Sequence, residues 1–198
     1  MTERPQPPDL ILASTSPYRR LLLERLGVPF RCLPPLVNEE ALKTGGIPPL
    51  SLAERLATAK AESLDQAEPG ATVIGGDQVV AFAGRVFGKP GSLGDAVNQL
   101  TAMAGATHQL ITALAVRHEG RTILHTDVTS LRLRPLTPDE IERYVRADRP
   151  LDCAGSYKLE ERGIALFEKI ETADHTAILG LPLIALTTIL RKLGYSIP

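Results

Sequence analysis

The stretch Leu10-Ile11-Leu12-Ala13-Ser14-Thr15-Ser16-Pro17-Tyr18-Arg19-Arg20 decides the fold, because it joins an apolar strand directly to a helix. Ser16 is typical of a helix N-cap, and Pro17 suits the first helical position, so we expect a helix from Pro17 to Leu26. The free N–H groups of its first turn, the helix dipole and two arginines favour an anion at the strand's end. The pattern therefore predicts a phosphate site here, and an ordinary capped helix with solvated arginines is the alternative.

Strand and helix patterns alternate along the rest of the chain, with two consecutive long strands in the middle. A short apolar strand is expected at 72–75, just before a polar run, and a capping box at Ser51–Glu54 predicts the start of the second helix. Two long strands joined at Glu119-Gly120 predict an antiparallel pair, and two shorter ones predict a hairpin across Ala83-Gly84. Further expectations are a capping box at Thr137–Glu140, a strand at 164–167, a long loop at 34–49 and a buried turn before a last helix. Helices that alternate with strands cover both faces of a sheet. The sequence therefore predicts a three-layer α/β fold, with a mixed β-sheet flanked by helices.

Composition and charge narrow the class of protein. The chain has 198 residues, 43% of them hydrophobic, 4% aromatic and 23% charged, and its net charge is −1. Without a basic run, a nucleic-acid surface is not expected, and the apolar stretch 177–190 is shorter than the roughly 20 residues of a membrane span. Cys32 and Cys153 stand outside any metal-ligand spacing, which is typical of reduced cytoplasmic thiols. We expect a flexible N-terminal tail over 1–9 and a single domain over 10–198.

Lys60 interrupts an apolar helical stripe. Leu52, Leu56, Lys60 and Leu64 follow one another at four-residue spacing, so they share one face of the predicted second helix. A lysine in that place either extends its amine to solvent or serves a polar cleft against which the helix packs.

Two further loops carry residues suited to phosphate chemistry. Asp77 follows Gly75-Gly76 at the predicted end of a strand, where an acid can hold Mg²⁺ or orient a water, although a plain turn has the same letters. Lys89 lies in a tight connection between Gly88 and Pro90, and a solvated loop lysine is its alternative. Hydrolysis of a phosphoanhydride needs cations, a divalent metal and a carboxylate that positions water. The residues that supply this mixture are Arg19, Arg20, Lys60, Lys89, Glu39 and Asp77.

Five short motifs, taken in order, make the chain resemble the Maf (septum formation) family of nucleoside triphosphate pyrophosphatases. They are Leu-Ala-Ser-Thr-Ser-Pro-Tyr-Arg-Arg from Leu12, Gly-Gly-Asp-Gln-Val from Gly75, Gly-Lys-Pro from Gly88, Cys-Ala-Gly-Ser-Tyr from Cys153 and Gly-Leu-Pro from Gly180. The resemblance implies a cytoplasmic enzyme that cuts a nucleoside triphosphate to monophosphate and pyrophosphate with a divalent metal, Mg²⁺ or Mn²⁺. It also implies an elongated fold with a deep cleft between two lobes, often as a homodimer.

The resemblance also implies roles for individual residues. Asp77 matches the family's proton acceptor, and Glu39 with Asp77 would hold the metal. The positions that line the triphosphate site fall on Ser14, Ser16, Arg19, Lys60 and Lys89, with Arg20 beside them. The specificity positions fall on Tyr18, Gln78 and Glu160, which resemble the branch acting on 7-methyl-GTP. Tyr18 could stack on a cationic purine, and Glu160 could accept from guanine N1–H and N2–H.

One departure keeps two other functions open. Asn38 stands where the family usually has a carboxylate, so the metal role passes to Glu39 or Glu40, or the site is weaker. A pyrophosphatase for dTTP and UTP is the first alternative. The second is a nucleotide-binding regulator of cell division that has lost catalysis, which Asn38 alone favours.

Overall fold

A mixed β-sheet between helices organises the part of the chain that the computed structural model describes, residues 8–197. The strands are β1 (Leu10–Ala13), β2 (Arg31–Leu33), β3 (Thr72–Phe82), β4 (Arg85–Phe87), β5 (Thr107–His118), β6 (Arg121–Leu133) and β7 (Phe167–Glu171). The helices are α1 (Pro17–Glu24), α2 (Glu39–Leu42), α3 (Pro49–Glu62), α4 (Leu93–Met103), α5 (Pro138–Asp148), α6 (His175–Ile178) and α7 (Leu183–Lys192). Short 3₁₀ turns occupy Ala154–Ser156 and Arg162–Leu166.

The sheet combines parallel and antiparallel pairing in the order β2-β1-β3-β5-β6-β7, and β4 pairs with β3. The pairs β1–β2 and β1–β3 are parallel, whereas β3–β5, β5–β6 and β6–β7 are antiparallel. The predicted hairpin across Ala83-Gly84 is confirmed, with φ values of 48° and 73° at the turn. The mixed sheet and its antiparallel centre confirm the predicted fold class.

Alternation along the strands gives the sheet two buried faces. On one face, Leu12 and Ile74 pack with residues of α1 and α7, such as Leu22 and Leu186. On the other face, α3 lies across β3 and β5, where Leu56 contacts the cluster that contains Ile111. Helices α4 and α5 cover the far part of the sheet through Leu100, Tyr144 and Leu131. These three layers bury apolar side chains on both sides of the sheet.

Strand β3 is longer than the sequence predicts, and this difference creates the site. Its partner β1 pairs only with Thr72 to Ile74, and β4 pairs only with Val80 to Phe82. The stretch 75–79 therefore has a partner strand, β5, on one edge only. The prediction that Gly75-Gly76-Asp77 follows the strand's end was wrong, because antiparallel pairing with β5 continues through these residues. The open edge of β3 lies where β1 ends.

Helix starts were predicted with mixed success. Ser16 and Thr137 cap α1 and α5 as expected, and Thr137 forms a full capping box with Glu140. The capping box at Ser51 was wrong, because the N-cap of α3 is Pro48, upstream of Ser51, its first helical residue is Pro49, and no side chain caps it.

Three other predicted segments need correction. The predicted strand at 164–167 is mostly the 3₁₀ turn Arg162–Leu166, and β7 begins at Phe167. The long loop after β2 contains the short helix α2, which Asn38 caps through its side chain. The apolar stretch before α7 contains α6, capped by Asp174.

The last two residues of the predicted N-terminal tail contact the folded part of the chain. Residues 1–7 of the predicted tail lie outside the described residues, whereas the Pro8 carbonyl accepts a hydrogen bond from the Tyr195 hydroxyl at 2.7 Å. The Asp9 carbonyl likewise accepts from the Thr72 amide at 2.8 Å.

Within residues 8–197, every helix is too short or too polar to cross a bilayer.

Candidate active site

A cavity of about 1060 Å³ opens at the unpaired edge of β3. The end of β1 and the start of α1 form one wall, and α2 with α3 forms another. Residues of the segment 152–160 and the end of α6 complete the lining. Every predicted site residue except Arg20 lines this space.

Lys60 joins two carboxylates at the bottom of the cavity. Its Nζ lies 2.7 Å from Asp77 Oδ1 and 3.0 Å from Glu39 Oε1. Lys60 and Asp77 are buried, whereas the Glu39 side chain is 37% exposed and open to the cavity. Of the two sequence alternatives for Lys60, the structure therefore selects the polar cleft.

Burial and charge act in opposite directions on these acids. Removal from water raises the pKa of Asp77 above its ordinary value, although Lys60 and Arg19 act to lower it. Burial also acts to raise the pKa of Glu39, but Lys60 together with Lys43 and Lys89 outweighs it, so the pKa of Glu39 lies below its ordinary value. The deeper carboxyl is the one that takes up a proton more readily.

The turn from β1 into α1 presents hydroxyls and one arginine to the same space. Ser14 Oγ accepts from the Ser16 amide at 3.1 Å, and Ser16 Oγ accepts from the Arg19 amide at 3.4 Å. The Arg19 guanidinium donates through Nε to the Gly180 carbonyl at 2.9 Å. Burial lowers the pKa of Arg19, which the charges of Asp77 and Glu39 oppose. Arg19 is thus fixed beside the acidic pair.

Two glycines of β3 allow this close approach. A Cβ at Gly75 would overlap the Ala57 carbonyl oxygen and stand 2.6 Å from the Ala61 amide, so α3 can contact the sheet only at glycine. A Cβ at Gly76 would stand 3.3 Å from Arg19 Nε. The glycines therefore set how near Lys60 and Arg19 come to Asp77.

Two residues singled out in the sequence lie elsewhere. Arg20 does not line the cavity, and its exposed guanidinium pairs with Glu24 at 3.0 Å, because one step along α1 turns it away from Arg19. Asn38 does not line the cavity either, and its Oδ1 caps α2 by accepting from the Ala41 amide at 3.3 Å. Glu39 still brings a carboxylate to Lys60. The cavity therefore keeps two carboxylates, Glu39 and Asp77, although Asn38 replaces an acid of the family pattern.

Another part of the cavity lining combines an aromatic ring with acids. The Tyr18 hydroxyl donates to Asp152 Oδ2 at 3.4 Å, and burial raises the pKa of Tyr18 to about 12, so the phenol stays protonated. Lys158 Nζ lies 3.8 Å from both Asp152 Oδ1 and Glu161 Oε1. Burial raises the pKa of Glu160, which also lines the cavity.

Two charged residues of the cavity wall were missed from the sequence. Lys89 lines the cavity as expected, but Lys43 and Asp152 do so as well. Lys43 pairs with Glu40 at 2.7 Å, and this i,i+3 spacing in the loop was the one available signal for it. Asp152 carried no signal beyond its place before Cys153.

Comparison with known protein families settles the family. The sequence profile described as "Maf-like protein" matches residues 9–193. The chain belongs to the Maf family. This Maf protein is 51% identical over 184 residues to a protein of Bdellovibrio bacteriovorus named "7-methyl-GTP pyrophosphatase", covering 93% of this chain and 96% of that protein.

Two other relatives carry the same name. The chain is 49% identical over 191 residues to a protein of Xanthomonas oryzae pv. oryzae, covering 96% of this chain and all of that protein. It is 48% identical over 191 residues to a protein of Aromatoleum aromaticum, covering 96% of this chain and 97% of that protein. Both relatives are named "7-methyl-GTP pyrophosphatase".

Proposed function

We propose that this Maf protein hydrolyses 7-methyl-GTP to 7-methyl-GMP and pyrophosphate. Water attacks the α-phosphorus, the bond from that phosphorus to the α,β-bridging oxygen breaks, and pyrophosphate leaves with that oxygen. Asp77 takes the proton from the attacking water. The observation that carries the proposal is the buried Asp77 carboxyl, 2.7 Å from Lys60 in a cavity that also holds Glu39 and Arg19.

Asp77 suits the role of general base because its surroundings pull its pKa in two directions. Burial raises the pKa toward the range in which a carboxylate removes a proton effectively, while Lys60 keeps the carboxylate form available. Since Lys60 holds Oδ1, the second oxygen of the carboxylate remains for water.

Positive groups around this carboxylate receive the phosphate chain. Arg19 and Lys89 line the cavity together with Asp77, and Ser14 and Ser16 add hydroxyls at the start of α1. Fixed cations and donors stabilise the charge that develops on phosphoryl oxygens in the transition state. The exposed Lys43 adds a further positive charge at the mouth.

A divalent metal ion fits the acids of this cavity. Among residues 8–197 no group of three or more His, Cys, Asp and Glu side chains is arranged as a complete metal site. Glu39 and Asp77 nevertheless converge on Lys60, and Mg²⁺ is commonly held by one or two carboxylates together with substrate phosphates. We propose that these two residues hold Mg²⁺ or Mn²⁺, which when bound would neutralise phosphate charge.

The metal role has its own test. Glu39→Gln should raise the Mg²⁺ concentration for half-maximal activity by about 10-fold or more, because one anionic ligand is lost. Glu40→Gln is the matched control, since Glu40 pairs with Lys43 and should leave the Mg²⁺ requirement unchanged. An equal shift in both variants would contradict the assignment to Glu39.

The lining that contains Tyr18 and Glu160 suits a cationic purine. Methylation at N7 places a positive charge on guanine, and an aromatic face such as that of Tyr18 attracts a cation. The carboxyl of Glu160 accepts hydrogen bonds, and guanine offers N1–H and N2–H on one edge. This combination distinguishes the methylated purine from dTTP and UTP.

A nucleotide panel with Mg²⁺ or Mn²⁺ tests the proposal. Wild-type protein should release pyrophosphate, not orthophosphate, with the highest kcat/KM on 7-methyl-GTP. Asp77→Asn should lower kcat by about 10²–10⁴-fold, the contribution of a general base. Asp127→Asn is the matched control, because Asp127 is also a buried acid with a raised pKa but lies outside the cavity.

The same panel separates the alternatives. Nucleotide binding without turnover in the wild type would instead support a regulator, and orthophosphate release would contradict both functions. Tyr18→Arg combined with Glu160→Gln should weaken turnover of 7-methyl-GTP. An unchanged preference after this double change would remove the assignment of the base.

A further inference from the structure

The side-chain NH₂ group of Gln78 donates its hydrogens to acceptors of the protein itself. Gln78 lies next to Asp77 on β3, half-buried, and lines the cavity. Its Nε2 stands 2.9 Å from Thr112 Oγ1, 3.0 Å from the Ala177 carbonyl and 3.1 Å from the Ile178 carbonyl. The two carbonyls belong to the end of α6, where the Ala177 carbonyl also accepts from the Gly180 amide at 3.0 Å.

These partners fix which way the amide faces. A carbonyl oxygen only accepts, so the atom beside Ala177 and Ile178 must be the nitrogen. The buried Thr112 hydroxyl donates its single hydrogen to the Ala177 carbonyl at 2.9 Å, so toward Gln78 it acts as an acceptor. The NH₂ group has two hydrogens and three acceptors, and no donor remains for a ligand.

The side-chain oxygen of Gln78, in contrast, has no hydrogen-bond partner among residues 8–197. None of the residues from 8 to 197 donates a hydrogen bond to Gln78 Oε1, while the side chain borders the cavity. A polar group that faces a binding site without a protein partner is available to the ligand. Gln78 can therefore offer a bound nucleotide an acceptor only.

We infer that Gln78 meets the substrate base solely as a hydrogen-bond acceptor, and that Thr112 is a positioning residue that holds it so. The inference rests on the proposed function and sharpens it. The base must present an N–H group to Gln78. Since Glu160 is proposed to accept from guanine N1–H and one hydrogen of the 2-amino group, the second 2-amino hydrogen remains for Gln78. A base carbonyl, such as O6 of guanine, lies against some other group, because a site that places acceptor against acceptor rejects the ligand.

Variants of Thr112 test the positioning role. Thr112→Val removes one of the three acceptors of the Gln78 amide and the donor to Ala177, and it puts a methyl group where the hydroxyl stands 2.9 Å from Nε2. A carbon cannot approach the nitrogen so closely, so the amide must shift, which should raise KM for 7-methyl-GTP by about tenfold. The kcat of this variant should stay within about twofold, because Asp77 and Lys60 project to the other face of β3. Thr112→Ser should restore the wild-type KM. Thr129→Val, which also removes a buried threonine hydroxyl from the sheet, should change neither constant.

The outcomes separate clearly. An unchanged KM in Thr112→Val, or failure of Thr112→Ser to restore it, would overturn the positioning role. If the wild type releases no pyrophosphate from any nucleotide, the proposed function fails instead.

A second measurement does not depend on turnover or on how Thr112→Val folds. In wild-type protein, the side-chain amide signals of Gln78, assigned by their loss in Gln78→Glu, should exchange slowly with solvent. They should remain protected when 7-methyl-GMP is added. Donation to the nucleotide, seen as release of these hydrogens from the α6 carbonyls, would contradict the acceptor role.

Discussion

Replacement of Lys60 by methionine tests the electrostatic core of the site. Lys60→Met keeps an apolar chain of similar length in α3 but removes the cation that contacts the buried Asp77. Removal of one partner from a buried ion pair costs about 3–5 kcal/mol, because the other charge stays desolvated. Asp77 can avoid this by taking up a proton. From its ordinary pKa of 3.8, that uptake costs about 4 kcal/mol at pH 7 and about 1.6 kcal/mol at pH 5.

The cost of Lys60→Met should therefore depend on pH in a defined direction. In the variant, the pKa of Asp77 rises further above its unfolded value, so the folded state binds more protons than the unfolded chain and loses stability as pH rises. We expect Lys60→Met to lower the free energy of unfolding by about 3–4 kcal/mol at pH 7 and by about 1–2 kcal/mol at pH 5.

Urea unfolding followed by far-ultraviolet circular dichroism measures this, since the chain has no tryptophan. The double variant Lys60→Met with Asp77→Asn should recover most of the free energy of unfolding that Lys60→Met loses. The remaining difference from wild type should not depend on pH, because the buried carboxyl is gone. An equal loss at both pH values, or a double variant no more stable than Lys60→Met, would refute the reasoning.

Three further predictions follow from the geometry. Arg19→Ala should raise KM for the nucleotide by about tenfold, whereas Arg20→Ala should leave it within about twofold, as steady-state kinetics will measure. Gly75→Ala should lower unfolding free energy by about 1–3 kcal/mol, because its Cβ meets backbone, while Gly94→Ala in α4 should not destabilise; urea titration of both checks this. Burial lowers the pKa of His108 to about 4, so between pH 7 and pH 5 the unfolded chain takes up a proton at this residue and the folded protein does not. Over that pH range the free energy of unfolding of the wild type should therefore fall by about 2 kcal/mol more than that of His108→Phe, as urea titration at both pH values will measure.

Local sequence signals predicted the elements whose causes are local. Ser16 and Thr137 cap their helices because the hydroxyl and the amides that it serves lie within one turn. The same reasoning failed at Ser51, where two prolines upstream already start α3 in the right geometry. A cap residue identifies a helix start only where no stronger start precedes it.

Long-range pairing explains what the sequence could not provide. Nothing near Gly75-Gly76-Asp77 reveals that β5 pairs across it, so the stretch looked like a strand's end. Lys60 presented two open alternatives, because only the tertiary fold brings Asp77 within 2.7 Å of it. Asn38 looked like a lost ligand, since the sequence gives no sign that Glu39 turns toward Lys60 instead.

The fate of the attacking oxygen tests the central claim, that one crevice directs water activated by Asp77 to the α-phosphorus. Hydrolysis of 7-methyl-GTP in H₂¹⁸O, followed by mass spectrometry of both products, measures it. The heavy oxygen should appear in 7-methyl-GMP and be absent from pyrophosphate. Label in pyrophosphate would mean attack at the β-phosphorus and would contradict the proposed arrangement of Asp77, Lys60 and Arg19.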